Sequence, residues 1–288
     1  MPPEQLTDRK TVRRQLAKAG VRPSKRLGQS FLVEPGVLDA IRDVVIEARP
    51  ERIVEIGAGL GAVTQVLAPL AQEVIALEID ARLVDVLTRN VGGLPSVVVC
   101  HENALDYCFP DAQDSGKVVV VGSIPYAITA PILQRLVANR VGISAAVLLT
   151  QREVAEKIAA SPGASGSALG VLVRAHADVH LLRRVGRGSF FPVPDVDSTL
   201  WTMRFLDGAR FKAGTETFFT VVRAIYGVRR KMLRVALRPL ASREQLAEIL
   251  NAADIEETVR GETLGFDELD RLSCAFESAG LPIESPDT

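Results

Sequence analysis

Short apolar runs alternating with helical patterns limit this chain more than any other feature. The runs are 52–56 (RIVEI), 73–77 (EVIAL), 97–100 (VVVC), 117–121 (KVVVV) and 145–150 (AAVLLT). Helical patterns at roughly 62–70, 81–90, 129–139 and 151–160 fall between and after them. Strands this short and this continuously apolar are buried on both faces, which predicts a mainly parallel α/β sheet. An amphipathic helix is expected over 35–48, where Pro35 suits the first turn and Val37, Leu38, Ile41, Val44 and Val45 share a face. Further strands are expected at 179–185 and 198–206. Residues 161–167 (SPGASGS) read as a loop. From about 209 the pattern is helical only. That places a boundary near Gly208, with a first domain of 1–208 and a helical domain of 209–288.

Bulk properties narrow the class. The chain has 288 residues, 47% hydrophobic and 24% charged, as expected of a soluble globular protein. Cys100, Cys108 and Cys274 are scattered and no His cluster occurs, so neither a disulfide framework nor a metal site is expected. A reducing cytoplasm fits this usage. The first thirty residues lack the apolar segment of a signal peptide, and no apolar run is long enough to span a bilayer. His101, His176 and His180 have no partner spacing for metal or acid–base work, and Trp201 reads as core.

Net charge is −1, yet charge is segregated. Residues 1–26 form a basic N-terminal arm with eight Lys/Arg against two acids; residues 223–238 hold six cations and no acid. Residues 241–288 hold twelve acids against three Arg. A neutral molecule with such blocks can present a basic face to nucleic acid. Six cations in 223–238 repel one another unless something anionic lies close.

Two motifs carry chemistry. Glu55-Ile56-Gly57-Ala58-Gly59-Leu60-Gly61 follows the first strand and opens a helix. Its glycines let backbone amides approach a ligand at a helix N-terminus. With Ala62 it fits G-x-G-x-x-G/A. Glu78 ends the next strand about twenty residues on, where an acid binds ribose hydroxyls. NAD and S-adenosylmethionine fit this pair equally. The second motif is Ser123-Ile124-Pro125-Tyr126, at the end of the fourth strand and on the same sheet edge. A small polar residue, a rigid proline turn and an aromatic ring suit a flat, amino-bearing base. A dehydrogenase has no use for it. Glu55 beside the glycine turn also suits a cationic sulfonium better than a pyrophosphate.

At this point the chain resembles the ribosomal RNA adenine N6,N6-dimethyltransferases of the KsgA type, with the Erm enzymes as relatives. The resemblance runs from about Lys25 to Leu272. Its blocks are Arg26–Leu32 (RLGQSFL), the glycine turn, Leu77–Asp80 (LEID), Ser123–Tyr126 (SIPY), Gln151–Lys157 (QREVAEK), Gly188–Ser198 (GSFFPVPDVDS), Arg229–Lys231 (RRK) and Glu262–Leu264 (ETL). The Ala177-Asp178-Val179 stretch, Val196-Asp197-Ser198 and the Glu-Thr-Leu block favour the KsgA side. The resemblance implies a Rossmann-like class I S-adenosylmethionine-dependent methyltransferase fold with a seven-stranded, mainly parallel sheet and a small C-terminal helical domain. It implies a monomeric cytoplasmic enzyme acting on small-subunit rRNA in the 30S particle.

Residue by residue, the resemblance places Gln29, Ser30 and Leu32 over the cofactor, Gly57 and Gly59 against its methionine portion, Glu78 on its ribose and Asn103 at its adenine amine. Ser123, Pro125 and Tyr126 would hold the substrate adenine, Ser123 also bordering the cofactor, and Phe190 would stack on the other face. Phe191 reads as core. Arg223, Arg229, Arg230, Lys231 and Arg234 would bind phosphate. Three positions depart from the family pattern: Ser30 for Asn, Asn103 for Asp, and Ser123 for Asn. Losing one buried hydrogen bond costs about 1–3 kcal/mol. These departures raise an alternative, an rRNA-binding assembly factor with weakened or lost catalysis. An Erm-type enzyme acting on large-subunit rRNA is the other alternative.

Overall fold

The computed structural model describes residues 6–24, 26–109, 117–163, 166–228 and 230–281. Its strands are β1 (Phe31–Leu32), β2 (Arg52–Ile56), β3 (Glu73–Glu78), β4 (Val97–His101), β5 (Val118–Ser123), β6 (Ile143–Gln151), β7 (Ala177–Val185), β8 (Phe190–Phe191) and β9 (Ser198–Phe205). Its helices are α1 (Arg9–Lys18), α2 (Pro35–Ala48), α3 (Ala62–Leu67), α4 (Ala81–Val91), α5 (Tyr126–Ala138), α6 (Arg152–Ala159), α7 (Ala168–His176), α8 (Thr215–Gly227), α9 (Leu233–Ala236), α10 (Arg243–Ala252) and α11 (Phe266–Ser278).

Seven strands form one sheet in the order β4-β3-β2-β5-β6-β9-β7. The pairs β2–β3, β2–β5, β3–β4 and β5–β6 are parallel, and β9 runs antiparallel to β6. The chain starts at β2, builds outward through β3 and β4, then returns to place β5 on the other side. The gap between β2 and β5 at their carboxyl ends is therefore the topological switch point, where open α/β sheets bind ligands. Strand interiors are apolar on both faces: Val118, Val119, Val120 and Val121 are all buried. Trp201 is fully buried on β9 and donates its indole N–H to Thr150 Oγ1 at 3.0 Å.

The chain divides into two compact units. The sheet unit comprises residues 1–155 and 178–205, and the helical unit 156–177 and 206–288. The boundary expected near Gly208 misses the excursion of 156–177. Its physical cause is the apolar face of α7: Val171 and Ala175 belong to the core formed by Phe218, Val222, Leu246, Leu269 and Phe276. The expected loop at 161–167 is described only outside 164–165. Helix α5 begins at Tyr126, three residues before its expected start, because Pro125 acts as N-cap and its carbonyl accepts from the Ile128 amide at 3.1 Å.

Within the basic arm, residues 9–18 form a capped helix: Asp8 accepts from the Thr11 amide at 2.9 Å, and Val12 and Leu16 are buried. Two-residue strands β1 and β8 pair antiparallel, joining Phe31 to Phe191 and Leu32 to Phe190.

Gly61 caps α3 with φ 92°, and a Cβ there would lie 2.7 Å from Val91 Cγ1 and 3.0 Å from Leu87 Cδ1. Left-handed backbone alone costs an L-residue about 1–2 kcal/mol. Gly61→Ala is expected to lower the melting temperature by several degrees in thermal unfolding, and an unchanged melting temperature would contradict this packing.

Candidate active site

A cleft of about 680 Å³ opens in the sheet unit at the switch point between β2 and β5. The structure brings Gln29, Ser30, Leu32, Gly57, Gly59, Glu78, Asn103, Ser123, Pro125, Tyr126 and Phe190 to its walls. Their positions follow from the strand order. β2, β3 and β5 end side by side, so the turns after them face one space.

Glu78 is the floor. It is buried, and its two oxygens accept from the Gly59 amide and the Asp80 amide, each at 2.9 Å. Burial raises its carboxyl above the usual range, against the lowering effect of these amides. Glu55 is buried beside it and accepts from Thr64 Oγ1 at 2.6 Å. Burial pushes the Glu55 carboxyl up to about 7, with the nearby Glu78 adding to the rise and the Thr64 bond opposing it. Asp80 behaves oppositely. The Arg82 guanidinium holds it down to about 2, helped by Gln29. Asp80 also caps α4 through the Arg82 amide at 3.1 Å. The sequence signal for Asp80 was present, an Asp directly before a helical run.

Gly57 and Gly59 have φ of 74° and 61°, which glycine adopts without strain. A Cβ on Gly57 would find only the Ser123 carbonyl oxygen within reach, at 3.9 Å, and would fill the cleft. The Gly59 position is covered by the Phe31 ring, 3.2 Å from where a Cβ would stand. The residues therefore fit a ligand that lies flat across the glycine turn between Glu78 and Ser123.

Gln29, which lines the cleft, also holds its own loop in place. Its Nε2 donates to Asp80 at 2.9 Å and its Oε1 accepts from the Ser24 amide at 2.7 Å. It ties the 24–30 loop to the acid floor. Beside it, Gly28 (φ 63°) packs so closely that a Cβ would sit 2.8 Å from Pro125 Cβ. Sequence reading missed this contact between the loop and the second motif.

In the second motif, Ser123 ends β5 and the buried Ile124 donates its amide to Leu149 at 2.9 Å, which fixes the turn. The Pro125 carbonyl accepts from the Ile128 amide and from Thr129 Oγ1, both at 3.1 Å. It caps α5, so this acceptor is already engaged within the helix. Tyr126 is 68% exposed at the cleft and offers an open ring face. Phe190 is only 3% exposed and belongs to the core with Leu32 and Leu200, so it walls the cleft rather than standing free. Phe191 is partly buried, with the Arg13 guanidinium 5.3 Å above its ring. Asn103 Oδ1 accepts from the Leu105 amide at 3.1 Å and its Nδ2 donates to Asp106 at 2.8 Å. Its carbonyl oxygen thus already serves a local turn, with one lone pair left for a ligand.

The phosphate-binding candidates lie in the helical unit, except that Arg229 is outside the described residues. Arg223, Arg230, Lys231 and Arg234 are exposed. Anions of the chain itself offset part of this charge. Glu262 accepts from the Arg230 amide at 2.8 Å, and Glu257 lies 3.6 Å from Arg234. The 223–238 segment therefore needs less external anion than its sequence implies. His176 is buried against Phe211 and Phe219, as a core residue. Among the described residues, no group of three or more His, Cys, Asp or Glu could hold a metal, and no helix is long and apolar enough to cross a membrane.

A glycine turn after the first sheet strand, an acid ending the next, and a base-sized turn ending the fourth define a class I methyltransferase. Solved structures share the fold: a dimethyladenosine transferase from Plasmodium falciparum (TM-score 0.76, 24% identity, 88% of this chain and 100% of that one) and the 23S rRNA methyltransferase ErmE (TM-score 0.68, 25% identity, 86% and 99%). Residues 21–269 match the profile of the ribosomal RNA adenine dimethylase family, and the chain belongs to that family. Among its relatives are two proteins named ribosomal RNA small subunit methyltransferase A. That from Geobacter metallireducens is 38% identical over 91% of this chain and 98% of its own length. That from Clostridioides difficile is 31% identical over 94% and 96%.

Glu55 generates a pH prediction. Its folded-state pKa lies above the unfolded value of 4.5. The native state then holds a proton that the unfolded state loses, so stability falls as pH rises from about 4.5 to 7. Glu55→Gln keeps an acceptor for Thr64 and removes this ionisation. Its melting temperature relative to wild type should be higher at pH 8 than at pH 5; a pH-independent difference would refute a buried, raised Glu55.

Proposed function

We propose that this chain dimethylates the N6 amine of adjacent adenines in small-subunit rRNA during 30S assembly, in the cytoplasm and as a monomer, with S-adenosylmethionine as methyl donor. The observation that carries this reading is the meeting of the glycine turn and the Ser123–Tyr126 turn at one cleft. A ligand lying over Gly57 faces a base held at Ser123. The names of the curated relatives support the small subunit as target.

Bound S-adenosylmethionine supplies an electrophilic methyl on a sulfonium. Glu78 accepts the ribose hydroxyls, Gly57 and Gly59 admit the methionine portion, and Asn103 accepts from the cofactor's adenine amine. Ser30 and Leu32 close the site from the loop that Gln29 anchors. The target adenine leaves its stack, as enzymes acting on a base require. Tyr126 replaces a neighbouring base on one face, and Phe190 walls the other. Ser123 and the Ile124 carbonyl accept from the N6 amine, aim its lone pair in line with the methyl, and stabilise the positive charge that develops on nitrogen. Once bound, the sulfonium would supply the methyl and keep the C–S bond pair, and the amine proton, acidified by transfer, would pass to water. No strong base is required. In the helical unit, Arg223, Arg229, Arg230, Lys231 and Arg234 hold phosphates without reading sequence.

Purified protein, labelled S-adenosylmethionine and 30S particles lacking the modification test this reading. Label on adjacent adenines of small-subunit rRNA is expected. Label confined to large-subunit rRNA would point to the Erm-type activity. Salt-sensitive 30S binding without label would overturn the enzyme reading in favour of an assembly factor. Ser123→Asn is expected to match or exceed wild-type activity, and a clear drop would show that Ser123 is adapted to its own site.

A further inference from the structure

Helix α1 carries a charge pattern that the cleft chemistry does not use. Arg9, Lys10, Arg13, Arg14 and Lys18 are exposed, and no acidic residue lies within the helix. The other face is anchored: Val12 and Leu16 join a cluster with Leu60, Leu83 and Val86 of the sheet unit. Lys10, Arg14 and Lys18 recur every fourth residue, about 6 Å apart along the axis. Like charges at this spacing destabilise a helix, as do cations in its first turn. Asp8, the acid next to the helix, is engaged as its cap with the Thr11 amide and hydroxyl.

The helix also lies against the cleft. Arg9 donates to the Gly188 carbonyl, and Arg13 sits over the Phe191 ring, so both reach the segment that carries Phe190. Val12 from the helix and Arg26 beyond it line the cleft itself. The helix that carries the exposed cations thus also contributes Val12 to the cleft wall, within the same compact unit.

We propose that α1 is a phosphate rail: Lys10, Arg14 and Lys18 hold the RNA backbone flanking the nucleotide that enters the cleft. This rests on the RNA-methylating reading of the cleft. A membrane surface fits less well, because a helix that lies on a bilayer needs an apolar face to insert. Here that face is buried in the protein, and the exposed positions besides the cations offer only Ala17.

The test is the triple variant Lys10→Gln/Arg14→Gln/Lys18→Gln, which keeps good helix formers. Binding to small-subunit particles is measured over a range of salt, beside cofactor affinity and melting temperature. Loss of three phosphate contacts should flatten the slope of log K against log salt by about 2 and weaken binding at least roughly tenfold at low salt. Cofactor affinity should be unchanged, and the melting temperature should not fall. Wild-type affinity and slope in the variant would overturn the rail. So would a loss confined to vesicles containing phosphatidylserine, which would assign the row to a membrane. Label transfer by wild type is read in parallel: its absence defeats the cleft reading, whereas unchanged RNA binding by the variant defeats the rail.

Discussion

A single buried carboxylate organises the site. Glu78 ends β3 below the surface, and its oxygens are satisfied by the Gly59 and Asp80 amides. A buried carboxylate without such partners would be expensive, so the two turns that supply the amides are fixed around it. One is the glycine turn after β2, whose left-handed residues let the chain pass over the acid. The other leads into α4, where Asp80 caps the helix and receives Gln29 from the N-terminal loop. That loop places Gly28 on Pro125. The acid floor and the Ser123–Tyr126 turn are therefore linked through four segments with Glu78 at their centre.

The electrostatics of this floor agree with the chemistry of the family. Glu78 lies close enough to Glu55 to raise its cost of ionising, and burial is the largest cause for both acids. A pyrophosphate placed here would add negative charge to a site that already disfavours it. A cationic sulfonium lowers that cost. The helical unit shows the opposite sign and a similar economy. Its basic segment is held in place by Glu262, a buried acid that accepts from the left-handed Arg230. This contact gives a physical reason for two of the family's blocks, Arg-Arg-Lys and Glu-Thr-Leu, to occur together.

Much of this was legible in the sequence, for identifiable reasons. Buried parallel strands are written as continuous apolar runs, so β2 through β6 and the shared sheet edge followed directly, and α2 begins and ends where its periodicity says. Gly57, Gly59, Glu78 and the Ser123–Tyr126 turn were legible because each ends a strand or opens a turn with a distinctive residue type, whereas Gln29, Ser30, Leu32, Asn103 and Phe190 entered only through the family resemblance. What escaped depends on contacts distant in sequence. β1 and β8 are two residues each and exist only as partners of one another. α1 was hidden because cations outnumber its apolar residues, although Val12 and Leu16 suffice to seat it. The place of 156–177 in the helical unit depends on Val171 and Ala175 finding Phe218 and Val222, which no local pattern announces. The anchoring part of Gln29 and the capping part of the Pro125 carbonyl are invisible until their partners are in place.

Calorimetric titration of S-adenosylmethionine into wild type and Glu78→Gln tests the central claim most directly. The account predicts a single site in wild type. It predicts at least a roughly tenfold loss of affinity in the variant, since a charged acceptor contributes about 1.5–3 kcal/mol. Equal affinity in the two proteins, with the variant folded, would contradict it.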